Sequence, residues 1–278
     1  MHKIIVIKIG TNSLALENGN FDMETIKNLA EQIGILNDRK YSVALISSGA
    51  IGCGKSLFAL RKKTLKTVDD VEERQVLAAI GQVELMKMYS DCFLKRNIQI
   101  AQVLATKSDF MNRDHYLNMR RCFIGLLKNN ILPIVNENDT VAVSELMFTD
   151  NDELAGLVAT MLNVERLIIL THVDGLFTAH PKEKNSKLIS EINIHDSVKN
   201  FVSAETSDFG RGGMKTKLNI ALKLGKLGIA VHFANSKTKN ILLKIMNGEK
   251  VGTKFIPQHK KSNIKRWLSF SETLAGAK

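Results

Sequence analysis

Six short, largely aliphatic runs recur along the chain, at 4–7, 43–46, 98–104, 131–135, 167–170 and 229–233. Most of their residues are β-branched, as in Ile4-Ile5-Val6-Ile7. Continuous runs of this length, rather than alternating ones, are the mark of strands covered on both faces. Between them lie stretches of helical period. Leu154, Leu157, Val158, Met161 and Leu162 follow an i, i+3, i+4, i+7, i+8 spacing, and Ile220, Leu224 and Leu227 share a face. Strand–helix alternation of this kind predicts an α/β fold, a three-layer αβα sandwich with a mostly parallel central sheet. Ligands in such sheets bind beyond the carboxyl ends of the strands. The chemistry is therefore expected in the loops after the runs.

Those loops are polar and glycine-rich. The first run leads into Lys8-Ile9-Gly10-Thr11-Asn12. A lysine in an apolar strand is costly to bury unpaired, so it either meets an anion or snorkels to water. The second leads into Ser48-Gly49-Ala50 and on to Lys55-Ser56, and residues 49–56 fit the GxxxxGK[ST] pattern of a P-loop. Against a P-loop enzyme, no strand ends in the aspartate that would hold magnesium there. The fourth run is followed by Asn136-Glu137-Asn138-Asp139 and then by Thr149-Asp150-Asn151-Asp152-Glu153. A capping box between Thr149 and Asp152 accounts for one carboxylate of this set but not for the rest. The fifth leads into Thr171-His172-Val173-Asp174-Gly175, a turn sequence. Finally, Gly210-Arg211-Gly212-Gly213-Met214-Lys215-Thr216-Lys217 opens the helix of Ile220 and Leu224, where bent backbone amides and a helix N-terminus suit phosphate.

Taken in order, the segments IVIKIGTNSL, ISSGAIGCG, LAAIGQ, PIVNENDTVA, DNDELA, LIILTHVDGLFTA, GGMKTK and VGTKF resemble the amino-acid kinase superfamily. The combination of SSGAI, NEND, DND and GGMxTK carries the resemblance. The NEND loop points to the branch that phosphorylates the side-chain carboxylate of L-glutamate at the start of proline biosynthesis. Branches acting on acetylglutamate, aspartate or UMP are the alternatives. Under this resemblance Ser48-Gly49-Ala50 is a glutamate-binding turn, and the P-loop string is a coincidence.

The resemblance implies an ATP-dependent phosphotransferase with a carboxylate acceptor. A glutamate γ-carboxylate, pKa about 4.3, is ionised at neutral pH, so no general base is needed. The work is alignment and neutralisation of the phosphoryl group. By the same resemblance, Lys8 and Lys217 are the catalytic cations and Asp152 holds them. Ser48, Gly49, Ala50, Asp139 and Asn151 bind the amino acid. Lys8, Gly10, Thr171, His172 and the turn Arg211, Gly212, Gly213, Met214, Lys215, Thr216 and Lys217 border ATP. Magnesium is expected to arrive with ATP, without a dedicated protein site. A homodimer or homotetramer, feedback inhibition by proline through residues 137–152, and hand-over of product to γ-glutamyl phosphate reductase are implied as well. The chain departs from the family pattern at His172 and His180, where aspartates are usual, and at Arg211 and Lys215, all toward a more basic nucleotide site.

The net charge is +11, from 39 Lys+Arg against 28 Asp+Glu. Ten Lys or Arg and two Glu fall in residues 237–278, so +8 of the surplus sits in the tail. A nucleic-acid partner is not expected, because the tail's one Trp and two Phe, Phe255 and Phe270, are too few for a stacking platform. Residues 1–258 are expected to form the kinase domain and 259–278 a basic tail without the PUA domain that comes after a Lys265-Arg266-Trp267-like segment in many relatives. With 44% hydrophobic and 24% charged residues the chain is neither disordered nor fibrous. Three scattered cysteines, and the lack of a signal sequence or a ~20-residue apolar span, predict a soluble cytoplasmic protein with no membrane partner.

Overall fold

β1 (Lys3–Ile9) shows why the aliphatic runs are unbroken. Ile5, Ile7 and Ile9 enter one apolar cluster and Val6 enters another, and all four are fully buried. The computed structural model describes residues 3–16, 21–60, 65–141, 148, 150–179, 183, 185–194 and 214–258. Within them, eight strands form one sheet in the order β3 (Ile100–Ala105), β4 (Leu132–Glu137), β2 (Tyr41–Ser47), β1, β5 (Arg166–Thr171), β7 (Ala230–Asn235), β8 (Thr253–Ile256) and β6 (Glu191–Asn193). All pairs are parallel except β7 with β8.

Two helical layers cover the sheet. On the face of Ile5 and Ile7 lie α2 (Met23–Asp38), α4 (Asp70–Leu94) and α9 (Ile241–Met246), contributing Ile26, Leu85, Phe93 and Leu242. On the face of Val6 lie α6 (Arg113–Lys128), α7 (Asn151–Leu162) and α8 (Met214–Lys226), contributing Phe123, Leu154, Val158, Ile220 and Leu224. The expected αβα sandwich is thus the observed one, and the two helical spacings fall on α7 and α8. All six aliphatic runs become strands. The last two strands of the sheet, β8 and the edge strand β6, were not expected. They are three and four residues long, and each alternates buried with more exposed residues, so neither presents a continuous apolar run. No helix among the described residues is long and apolar enough to cross a membrane. Residues 259–278, with Lys265, Arg266 and Trp267, lie outside the described residues.

Residues 49–56 do not form a phosphate loop. Ala50–Leu60 is helix α3, so Gly52 and Gly54 have helical neighbours and Lys55 points to solvent. Gly54 has a packing role instead. A β-carbon there would come 2.2 Å from the Leu77 carbonyl oxygen, and one at Gly81 would come 1.8 Å from that of Ala50. The two glycines let the α3 and α4 backbones touch, which no side chain would permit. Gly81→Ala should therefore destabilise the protein by about 1–3 kcal/mol or more in urea unfolding, since the clash is with backbone. Gly125→Ala, on α6 with nothing within 4 Å of the added carbon, should be neutral or stabilising.

Candidate active site

Lys8 is the sixth residue of β1 and shares the face of Val6, so its side chain runs up beneath the N-terminus of α7. It is only 3% exposed and pairs with Asp152, which has no exposed surface, at 2.7 Å between Nζ and Oδ1. The other Asp152 oxygen lies 2.8 Å from Nζ of Lys217, in the first turn of α8. Lys8 therefore meets an anion rather than water. Asp152 stands in the first turn of α7, where the positive end of the helix favours a carboxylate. It turns toward the lysines. The N-cap of α7 is Asp150, without a side-chain cap bond, and Thr149 lies outside the described residues.

Asp150 completes the array, 3.6 Å from Lys8 and 3.5 Å from Lys217. Sequence reasoning passed over it, because one carboxylate sufficed to hold two lysines; its place directly before Asn151-Asp152 was the available signal. Burial alone raises the pKa of both carboxyls. For Asp152 the charges of Lys8 and Lys217 outweigh burial and hold it below its ordinary value. For Asp150 burial prevails and the pKa is raised. Burial pulls Lys217 down, but Asp152 and Asp150 together push it above its ordinary value. Gly10, at the end of β1, leaves room for this: a β-carbon there would lie 3.3 Å from Lys8 Nζ.

A second chain of contacts joins the ends of β2, β4 and α7. The Asn151 amide donates to Ser48 Oγ at 2.7 Å and to Asn136 Oδ1 at 2.9 Å. Asn136 in turn donates to Gln82 Oε1 on α4 at 3.0 Å. Asn136 and Gln82 lie within the segments that carry the family resemblance but had no expected role. Asn151 Oδ1 is buried without a hydrogen-bond partner among the described residues. The Ser48 N–H donates to the Ile9 carbonyl at 3.1 Å, which brings this turn beside Lys8. Gly49 has φ +114°, a conformation suited to glycine, and a β-carbon would press on the Phe21 ring at 3.2 Å. Ala50, buried, opens α3.

The structure brings together Lys8, Asp152 and Lys217, and separately Ser48 and Asn151. No hydrogen bond or ion pair among the described residues joins Asp139 or Thr171 to either set. Asp139 is half-buried in the turn after β4. Burial raises its pKa, against the nearby Arg74 charge. Thr171, buried at the end of β5, accepts from the Val173 N–H at 3.2 Å and shapes the following turn, on which His172 is exposed. Met214, Thr216 and Lys217 are partly buried in the first turn of α8, and Lys215 is exposed. Arg211, Gly212, Gly213 and His180 lie outside the described residues. Among the described residues no group of three or more His, Cys, Asp or Glu side chains is placed to hold a metal ion. The nearest carboxylates, Asp150 and Asp152, are engaged by lysines.

A parallel αβα sheet with two lysines gathered on one carboxylate beyond its strand ends defines a phosphoryl-transfer class. The chain belongs to the amino acid kinase family, whose sequence model matches residues 3–235. Within that family its relatives include the glutamate 5-kinase of Chlorobaculum tepidum, 48% identical over 99% of this chain and 74% of that one. The glutamate 5-kinase of Alkaliphilus metalliredigens is 38% identical over 91% of this chain and 95% of its own. Among solved structures, carbamate kinase from Giardia lamblia bound to AMP-PNP superposes with a TM-score of 0.68 at 19% identity, covering 92% of this chain and 99% of that one. UMP kinase from Ureaplasma parvum gives 0.62 at 15% identity, with the same coverage. At these identities the two structures speak to the fold.

Asp152→Asn would leave Lys8 buried with only the longer Asp150 contact. The loss should be about 3–5 kcal/mol near neutral pH in denaturant unfolding. Because folding lowers the Asp152 pKa, its contribution is complete above about pH 4 and is lost as pH falls through the lower folded value. The gap between wild type and variant should therefore narrow in acid.

Proposed function

We propose that this chain transfers the γ-phosphoryl group of ATP to the γ-carboxylate of L-glutamate, as a glutamate 5-kinase. The observation that carries the reading is the Lys8–Asp152–Lys217 array at the strand ends, in a chain close in sequence to enzymes of that name. A glutamate γ-oxygen attacks the γ-phosphorus, the bond to the β,γ-bridging oxygen breaks, and γ-glutamyl phosphate and ADP result. The attacking carboxylate is already ionised, so no residue needs to take a proton. The obstacle is repulsion between anions, and Lys8 and Lys217 neutralise it from two sides. Lys8 stands toward the transferred group and Lys217 toward the nucleotide phosphates. Asp152 is a positioning residue: it keeps both ammonium groups in place and is held ionised by them.

Ser48, Gly49, Ala50 and Asn151 form the amino-acid subsite, with the open Asn151 Oδ1 as an acceptor for a substrate N–H. Asp139 suits the α-ammonium group. Gly10, Thr171, His172 and the 211–217 turn border the nucleotide. Magnesium fits as a companion of ATP, since the carboxylates present are committed to lysines; bound to the phosphates it lowers their charge. The reading extends to one kinase domain over residues 1–258, a cytoplasmic homodimer or homotetramer, and inhibition by proline through residues 137–152. It also includes prompt consumption of the labile acyl phosphate by γ-glutamyl phosphate reductase.

The test is ADP release with glutamate, acetylglutamate, aspartate and UMP offered in parallel, with the acyl phosphate trapped as a hydroxamate for the three carboxylate acceptors. Turnover of glutamate alone is expected, and preference for another acceptor would overturn the assignment. Lys8→Ala and Lys217→Ala should each lower kcat/KM by roughly 10²–10³-fold with unchanged circular dichroism. Lys55→Ala, on the exposed face of α3, should stay within about twofold of wild type, whereas loss of a P-loop lysine would abolish activity. Asp139→Asn should raise KM for glutamate and leave KM for ATP unchanged.

A further inference from the structure

β5 and β7 begin at the end of the sheet away from Lys8. There a solvent-open cleft is lined by Arg166, Ser190, Glu191, His232, Lys250 and Lys254, among others. Two nitrogens of the residues that line it are anomalous. His232 of β7 is only 5% exposed, and its Nδ1 is buried without a hydrogen-bond partner. Nε of Arg166, the first residue of β5, is also buried and unpartnered. The remaining guanidinium contacts are long: Nη1 donates to the Ile245 carbonyl at 3.3 Å, and Nη2 lies 3.5 Å from Glu165. Buried polar groups are rarely left unpaired, and two around one cleft call for a common cause.

The electrostatics agree with the geometry. Burial first, then the charges of Arg166 on β5 and Lys254 on β8, push the His232 imidazole down to about 3, so it is neutral near neutral pH. The carboxylates near the cleft are largely taken. Glu191 on β6 pairs with Lys254 at 3.6 Å, and Glu165 pairs with Lys3 at 3.0 Å. Glu249 and Lys250 of the α9–β8 connection are exposed and offset one another. Around Arg166 and His232 the missing partner is an acceptor. Guanidinium has donors only, in a fork that matches carboxylate and phosphate.

We propose that this cleft binds a small oxyanion, a phosphate group or a dicarboxylate, which accepts from the Arg166 guanidinium and from the His232 imidazole. The site is separate from the kinase centre: its residues occupy the amino-terminal halves of β5 and β7, whereas Thr171 ends β5 on the catalytic side. Binding supplies the negative charge that His232 lacks, so it should raise the pKa of that histidine.

The test monitors histidine ring resonances of the full-length, ¹⁵N-labelled protein by NMR. Sodium phosphate and sodium succinate are titrated separately at constant ionic strength set with chloride, and His232→Gln identifies the signal. The expected result is a saturable His232 shift with one oxyanion, weakened at least tenfold in Arg166→Met, which keeps wild-type circular dichroism and acyl-phosphate production. Response to phosphate or to succinate tells which class the cleft takes. Should His232→Gln not fold, Lys254→Met supplies a second variant, expected to weaken the shift at least threefold. The proposal is overturned by three results: no saturable shift with either ligand, an equal shift with chloride, or an Arg166→Met response matching wild type.

Discussion

The Asp152 carboxylate, closed off from solvent, neutralises an ammonium group from the sheet and another from the neighbouring helix α8. Everything near the strand ends depends on that arrangement. Lys8 occupies a strand position whose neighbours across β2 and β5 are Ile46 and Ile169, both fully buried. An unpaired charge there is untenable, and the first turn of α7 supplies the counter-charge at 2.7 Å. Lys217 then fixes where α8 begins relative to α7. One buried carboxylate thus sets the mutual position of β1, α7 and α8.

In the proposed reaction this arrangement does most of the catalytic work. Two ammonium groups shared between Asp152 and Asp150 make a near-neutral array, stable without substrate. Asp150, whose own pKa is raised by burial, adds longer contacts to both lysines. A triphosphate entering from the carboxyl ends of the strands meets donors already oriented, and preorganised charge of this kind is the main resource for phosphoryl transfer. The Ser48–Asn151–Asn136–Gln82 chain places the acceptor side of the site by the same logic, through hydrogen bonds between elements rather than charge.

Much of this was legible in the sequence because burial on two faces writes continuous aliphatic runs, and a parallel sheet puts its ligands at the loop closing each run. Lys8 was legible for the opposite reason, as a charge where none belongs. The short strands β6 and β8 were not, since strands of three and four residues that alternate in burial leave no run to read. The P-loop string is a coincidence because its glycines serve α3–α4 contact: Gly54 and Gly81 are small for the sake of each other's helices. Asp150, Asn136 and Gln82 escaped notice as site residues because their roles are relational. Asn136 and Gln82, for example, meet across a separation of 54 positions.

The most direct test of the central claim is a crystal structure with ADP, aluminium fluoride, magnesium and glutamate, which mimics the transferring phosphoryl group. The account predicts a planar fluoride between the glutamate γ-carboxylate and ADP, with Nζ of both Lys8 and Lys217 within roughly 3 Å of its ligands or of the adjoining β-phosphate oxygens. It also predicts that Asp152 still pairs with both lysines. A mimic bound elsewhere, or one bound in line with either lysine turned away, would contradict it.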